Sequence, residues 1–228
     1  FSISSKRLES LTLWSLLSGV LGARLFYFLR FPQAFWANPL DILSLSPFLL
    51  DFQGGIAVAL TVALIYGQKH KMPFWATLDA FTPSFAVFAV SLGLARFASG
   101  NGYGIETHLP WGVVLWGAVR HPVQVYEVLL TLLIFYMVLP VRSREGISKR
   151  QNSGVLFLKF VALIAAANLF LETFRAEGVR LFGMVRAEQI IAWLVLALSL
   201  WLLGRRQRVA IEIPTELKQG VDSGSKVV

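Results

Sequence analysis

Six runs of mostly apolar residues fill this 228-residue chain, and each is about long enough to cross the hydrocarbon core of a bilayer. Charged residues make up only 15% of the chain, whereas soluble domains usually carry about a quarter. In lipid, each backbone amide must find its partner within its own segment, so these runs are predicted to be α-helices. The predicted spans are about 10–29, 51–67, 77–97, 121–140, 154–175 and 184–203.

The chain is therefore predicted to be an all-α, polytopic membrane protein. One transmembrane helical domain is expected over residues 1–208, followed by a loose polar tail over 209–228. The spans leave no room for a second soluble domain. Because the chain begins with Phe1 rather than Met, and because Lys6 and Arg7 precede an apolar run longer than a signal-peptide core, the native N-terminus is expected to be missing.

The basic residues fall at alternate ends of the six spans, so they gather on one membrane face. The excess of Lys and Arg in cytoplasmic loops predicts that this face, with both chain ends, is cytoplasmic. The same bias accounts for the formal charge of +8, and no nucleic-acid partner is expected. These residues are Lys6, Arg7, Lys69, Lys71, Arg142, Arg144, Lys149, Arg150, Arg205, Arg206 and Arg208.

Several enzyme classes are disfavoured by composition. The chain has no cysteine, which excludes disulfides, thiolate metal sites and a cysteine nucleophile. Its three histidines lie far apart without ligand spacing, so neither a metal nor another cofactor is predicted. The pair Ser99-Gly100 suggests an intramembrane serine protease, but the preceding glycine and a histidine partner on a helix are lacking.

Two polar stripes enter the predicted spans. An ionisable side chain there costs about 2.5–3.5 kcal/mol on insertion scales, so each suggests an internal partner, a cavity or a lipid headgroup. In RHPVQVYE, the spacing i, i+4, i+7 predicts that Arg120, Gln124 and Glu127 share one helix face, and NLFLETFR repeats this spacing with Asn168, Glu172 and Arg175. The glutamates either form structural ion pairs or help to line an electropositive pocket that opens outward.

Other polar segments offer candidates for the same pocket. Arg24 and Tyr27 lie three apart in GARLFYFL, and Arg96 closes the third span. The glycines of DFQGG expose backbone N–H groups to an anion or allow close helix contact. In FASGNGYG, three glycines permit tight turns that could cradle a phosphate, whereas Asp79 is interpreted as a cap in the first turn of its own helix.

These motifs resemble the prolipoprotein diacylglyceryl transferase family along nearly the whole chain. RHPVQVYE resembles the family's Arg-His-Pro-x-Gln-x-Tyr-Glu motif and is the most specific match. GARLFYFL, FQGGI, DAFTPSFA, GNGYGIETHLPW and ETFR are similar to its other segments, in that order along the chain with ETFR last. The resemblance implies a multi-pass protein of the bacterial plasma membrane that transfers diacylglycerol from phosphatidylglycerol to a lipobox cysteine, and implies seven spans, the first of which is absent here.

The resemblance also implies the residues of the site. The expected catalytic residues are Gln53, Arg96, Arg120 and Glu127. The expected substrate-binding residues are Arg24, Tyr27, Gly54, Gly55, Asn101, Gly104, His121, Gln124, Tyr126, Asn168, Glu172 and Arg175. Phosphatidylglycerol or another anionic phospholipid is the expected ligand, with a prolipoprotein as the second substrate if the chain is active.

Three departures from the family pattern leave two functions open. Gln53 occupies the place of the histidine before Gly-Gly and cannot act as a general base. Asn168 occupies the place of an arginine, and Arg96 matches the signature-loop arginine only with a gap of about three residues, since an ungapped alignment gives Gly93. The chain is predicted to be either a transferase or a degenerate, lipid-binding subunit of a larger membrane complex.

Overall fold

The computed structural model describes residues 3–36, 46, 49–139, 153–176, 180–181 and 185–211. Every predicted span falls on a helix in this part of the chain, and a further single turn lies in the first connection. The helices are α1 (Ser5–Arg30), α2 (Gln33–Trp36), α3 (Phe52–Lys69), α4 (Phe74–Ser99), α5 (Val123–Val138), α6 (Val155–Glu172) and α7 (Ala187–Ile211).

By length and composition, α1, α4, α6 and residues 187–207 of α7 are able to cross a membrane, and α5 is a shorter apolar helix. The predicted polytopic, mainly helical class is confirmed. The chain divides into two compact units, Phe1–Thr77 and Leu78–Val228. The single domain over 1–208 stays a prediction, and residues 212–228 of the expected tail lie outside the described part.

In the first unit, α1 and α3 pack antiparallel through small residues. A Cβ placed on Gly22 would lie 2.6 Å from Cβ of Val58, and one on Gly55 would lie 2.8 Å from Cβ of Ala23. The backbones therefore approach more closely than larger side chains allow, as is typical of membrane helices. Asp51 begins α3 by accepting the backbone N–H of Gly54 at 2.7 Å.

In the second unit, α4, α5 and α6 share a buried apolar core. Its central residues are Ala86, Ile134, Val138 and Phe160. The interpretation of Asp79 as a cap of its own helix is wrong, because α4 begins five residues earlier. Its carboxylate instead accepts the N–H groups of Gly154 and Phe157 and so caps α6.

Two short antiparallel strand pairs, the first of them a hairpin, accompany the predicted helices without changing the mainly helical class. β1 (Val113–Leu115) pairs antiparallel with β2 (Ala118–Arg120), and β3 (Arg180–Leu181) pairs with β4 (Val185–Arg186). The strands lie in connections between helices, where backbone groups lack the i→i−4 partners of a helix and pair across the chain instead. Gly117, at φ 81°, supplies the left-handed conformation that the first hairpin's two-residue turn requires.

Parts of the predicted connections fall outside the described residues. Of the connection between the first two predicted spans, only residues 30–36, 46 and 49–50 are described. The basic residues Arg142, Arg144, Lys149 and Arg150 are likewise outside the described part.

Candidate functional site

An alternating chain of three arginines and two glutamates lies in the second unit. Glu127 on α5 binds Nη1 of Arg96 through Oε1 and Nη2 of Arg175, at 3.1 Å, through Oε2. Glu172, the last residue of α6, accepts Nη1 of Arg175 at 2.7 Å through Oε1. Its Oε2 lies 3.5 Å from Nη1 of Arg186, which precedes α7. We call these five residues the Arg–Glu cluster.

The Arg–Glu cluster is largely withdrawn from solvent. The side chains of Glu127 and Glu172 are 9% and 3% exposed, and those of Arg175 and Arg186 are 13% and 12% exposed. Arg96 is the most accessible member at 35%. Three guanidinium groups against two carboxylates give a net charge of +1, which suits an anionic ligand.

The local fold brings these side chains together. Gly93, one turn before Arg96, leaves α4 close to α5, because a Cβ there would lie 3.0 Å from Cγ2 of Val128. The alignment left open whether Gly93 or Arg96 matches the family's arginine. In the structure, Arg96 binds Glu127. Arg175 follows α6 and is held by a bridge to Gly104, and its neighbour Ala176 donates to the carbonyl of Tyr103 at 3.0 Å.

The predicted stripe Arg120–Gln124–Glu127 is wrong for Arg120. Arg120 lies in β2, whereas α5 begins at Val123. Pro122 explains the break, since the residue before a proline is pushed away from the helical conformation. The guanidinium of Arg120 contacts the exposed carboxylate of Glu106 at 3.3 Å and the carbonyl of Leu115 at 3.2 Å, and among the described residues it makes no contact with Glu127.

The second stripe is also only partly realised. Arg175 lies three residues beyond the end of α6 rather than on its face, although it does reach Glu172. The amide of Asn168 donates to the carbonyl of Ile164, one turn back in α6, at 3.0 Å. Asn168 therefore adds no charge to the Arg–Glu cluster.

The remaining candidates of the second unit form a polar network beside the cluster. Gln124 donates to the carbonyl of Asn101 at 3.1 Å. Trp111 donates to the hydroxyl of Tyr126 at 2.8 Å, and that hydroxyl lies 3.4 Å from Nδ1 of His121. The indole can only donate, so the tyrosine proton is free to point at Nδ1. This arrangement occupies one nitrogen of His121 and favours a positioning role over that of a general base.

Five candidates belong to the first unit. The guanidinium of Arg24 donates to the carbonyl of Leu49 at 3.0 Å, and Tyr27 lies one turn further along α1. Gln53 is exposed near the start of α3. The N–H groups of Gly54 and Gly55 donate to Asp51, so these glycines serve close helix contact in this structure.

A cavity of about 340 Å³ opens between α6 and α7 and joins the Arg–Glu cluster. Its apolar wall includes Phe160, Ile164 and Val195, and its polar lining is Asn168, Glu172, Arg175 and Glu188. The Nε of Arg175 is buried without a hydrogen-bond partner in the described part of the chain. An apolar slot with polar groups at one end suits an amphiphile, and the guanidinium of Arg175 is paired with Glu172 there while Glu188 adds a second carboxylate to the lining.

Sequence reasoning missed Arg186 and Glu188. Both lie near the start of the last predicted span, 184–203, and the rule that an ionisable side chain within a span needs a partner applies to them as well. Neither belongs to a motif that resembles the family, so motif matching does not identify them.

A family model for prolipoprotein diacylglyceryl transferase matches residues 2–205, a range that contains α1 to α6 and most of α7. The chain belongs to the prolipoprotein diacylglyceryl transferase family. Its Arg–Glu cluster joins the RHPVQVYE motif, through Glu127, to the ETFR motif, through Glu172 and Arg175.

Relatives named phosphatidylglycerol–prolipoprotein diacylglyceryl transferase match most of this chain, which spans about four fifths of their own length. The protein of Solidesulfovibrio magneticus is 32% identical over 88% of this chain and 78% of its own. That of Rickettsia bellii is 28% identical over 88% of this chain and 79% of its own. That of a Nostoc species is 25% identical over 93% of this chain and 80% of its own.

Proposed function

We propose that this protein transfers a diacylglyceryl group from phosphatidylglycerol to the lipobox cysteine of a prolipoprotein. In this reaction the cysteine thiolate forms a bond to C3 of the glycerol that carries the acyl chains. The bond between C3 and the phosphate oxygen breaks, and glycerol phosphate leaves with the electron pair. The thiol proton passes to solvent or to the leaving phosphate.

The observation that carries the proposal is the excess positive charge of the Arg–Glu cluster. Negative charge grows on the phosphate as the C–O bond breaks, and preorganised donors in a water-poor site stabilise it. Arg96 is accessible and Arg175 has a buried Nε without a partner in the described part, so both have N–H groups left for an anion. Glu127 and Glu172 hold these guanidinium groups in place.

The candidate residues of this chain supply no clear general base for the reaction. Gln53 has no basic nitrogen at neutral pH, and His121 already has a contact at Nδ1. We propose that the thiol is therefore deprotonated by solvent. An ordinary cysteine, with a pKa of about 8.5, is only a few per cent thiolate at pH 7, so transfer is expected to be slow but measurable.

The test is transfer of diacylglycerol from phosphatidylglycerol to a lipobox peptide by the purified native chain. We expect the rate to rise roughly tenfold per pH unit between about pH 6 and pH 8, because the thiolate fraction rises in that proportion below its pKa. The variant Gln53→His supplies a base and should be faster than the native chain at pH 7, with a flatter pH profile.

A matched control is Gln68→His, which places the same side chain at an exposed position near the opposite end of α3. It should keep the native rate and the native pH profile. Transfer by Gln53→His alone, with none by the native chain at any pH, would favour the alternative of a degenerate lipid-binding subunit in a larger membrane complex. Failure of both would reject transfer altogether.

A further inference from the structure

Arg186 belongs to the Arg–Glu cluster, but its charge is not needed to neutralise the two carboxylates. Without Arg186, the guanidinium groups of Arg96 and Arg175 already balance the carboxylates of Glu127 and Glu172. Each carboxylate also keeps an arginine partner within 3.1 Å, since Arg175 reaches both. Arg186 is therefore the source of the surplus positive charge within the five residues of the Arg–Glu cluster, to which Glu188 of the adjoining cavity does not belong.

Most of the Arg186 guanidinium is available to a ligand. Its Nη1 donates to the carbonyl of Glu172 at 2.8 Å and lies 3.5 Å from Oε2 of the same residue. Within the described ranges, neither Nε nor Nη2 has a hydrogen-bond partner. The side chain is 12% exposed, so these donors lie where water is scarce and an anion would gain most from them.

The neighbouring turn of α6 lacks a cation. Asn168 precedes Glu172 by one turn and lines the same cavity between α6 and α7. Its amide is turned back to the carbonyl of Ile164, so that part of the cavity receives no positive charge from α6. Arg186 does not line this cavity itself, but from the start of α7 it reaches Glu172, which does.

We propose that Arg186 is a phosphate-binding residue that supplies, from the start of α7, the guanidinium that α6 lacks at Asn168. The identification of the anion as the phosphate of phosphatidylglycerol rests on the proposed function. The competing explanation is structural: Arg186 would only cap the carbonyl end of α6 through Glu172.

Lipid binding by the purified full chain tests the proposal without requiring transfer. Phosphatidylglycerol and phosphatidylcholine are titrated in detergent, and bound lipid is counted by native mass spectrometry. We expect the native chain to prefer phosphatidylglycerol and Arg186→Gln to bind it about tenfold more weakly, because a charged hydrogen bond to phosphate is lost. Arg205→Gln removes an exposed arginine that stacks on Trp201 in the same helix and should bind as the native chain does.

Moving the charge from the start of α7 to α6 gives a sharper result. Asn168→Arg added to Arg186→Gln should recover most of the affinity, since position 168 lies one turn of α6 before Glu172, the residue that Arg186 contacts. This readout separates binding from capping, because an arginine at 168 replaces the charge but lies a full turn from the end of α6. Arg186→Lys keeps the charge and should lose less affinity than Arg186→Gln.

Three results would overturn the assignment. They are equal binding of the two lipids by the native chain, unchanged affinity in Arg186→Gln, or no recovery in a double variant whose thermal unfolding matches that of the native chain. If Arg186→Gln does not fold, two single variants of the native chain take its place. The proposal then requires that Arg186→Lys bind phosphatidylglycerol more weakly than the native chain and that Asn168→Arg bind it more tightly. Arg186-dependent binding without transfer would refute only the proposed function, and transfer with an unchanged KM for phosphatidylglycerol in Arg186→Gln would refute only this assignment.

Discussion

At the scale of single residues, the two buried glutamates organise the site. Glu127 links α4 to the segment after α6, because its two oxygens bind arginines from both. Glu172 makes the next link, between that segment and the start of α7. Removing one partner of a buried ion pair leaves an uncompensated charge, which costs far more than the pair contributes.

Glu127→Gln is therefore expected to destabilise the protein strongly. The largely buried Arg175 and the more accessible Arg96 would lose their shared carboxylate, at a cost of about 3–5 kcal/mol. The matched control is Glu106→Gln, because Glu106 pairs with Arg120 but its side chain is 71% exposed, and a surface pair contributes about 0–1 kcal/mol. Thermal unfolding in detergent measures both, and equal effects would mean that the cluster contributes no more than a surface pair.

At the scale of elements, side chains from elsewhere hold both ends of α6. Its N-terminal amides donate to Asp79 of α4, and its last carbonyl accepts from Arg186. Helix ends leave backbone groups without partners, and in a membrane protein few waters are available to replace them. These two contacts fix where α6 stops and thereby where Glu172 and Asn168 lie.

The packing of α1 on α3 predicts that alanine has opposite effects on stability at two glycine positions. Gly22→Ala should destabilise the first unit by about 1–3 kcal/mol, because the new Cβ would meet the stiff Val58 side chain at 2.6 Å. Gly67→Ala lies on α3 with nothing within 4 Å of the new Cβ, and should stabilise by about 0.5–1 kcal/mol through helix propensity.

Unfolding of the two variants in detergent, followed by circular dichroism, measures this difference. Equal shifts of the two variants in the same direction would show that α1 and α3 tolerate a wider spacing than their backbones adopt here.

At the scale of the whole molecule, we propose that the basic ends face the cytoplasm. Lys6 and Arg7 at the start of α1 and Lys69 and Lys71 at the end of α3 lie at the same end of the antiparallel pair, where Arg7 donates to the carbonyl of His70. Such concentrated charge is typical of the cytoplasmic side of bacterial membrane proteins.

Single cysteines can test this orientation, because the chain has none of its own. Gln68→Cys is exposed near the basic end, and His108→Cys is exposed in the connection between α4 and α5. In intact cells, a membrane-impermeant maleimide should label His108→Cys and spare Gln68→Cys until the cells are opened. The reverse pattern would invert the proposed topology.

The sequence by itself determined the helices, the membrane class and the family. Apolar length and backbone hydrogen bonding are local properties, so each span could be placed from its own residues. The motifs RHPVQVYE and ETFR are also short, local stretches of sequence, and they identified Glu127, Glu172 and Arg175 as candidates.

Only the tertiary structure decided which charges meet. Arg96 and Glu127 are 31 residues apart, Glu127 and Arg175 are 48 apart, and Asp79 reaches an amide 75 residues away. Helical spacing carries no information across such distances. It gave no sign that Arg186 would meet Glu172. Helical spacing also placed Arg120 on the face of Glu127, but the helix begins only after Pro122, and the strand before it takes Arg120 to Glu106.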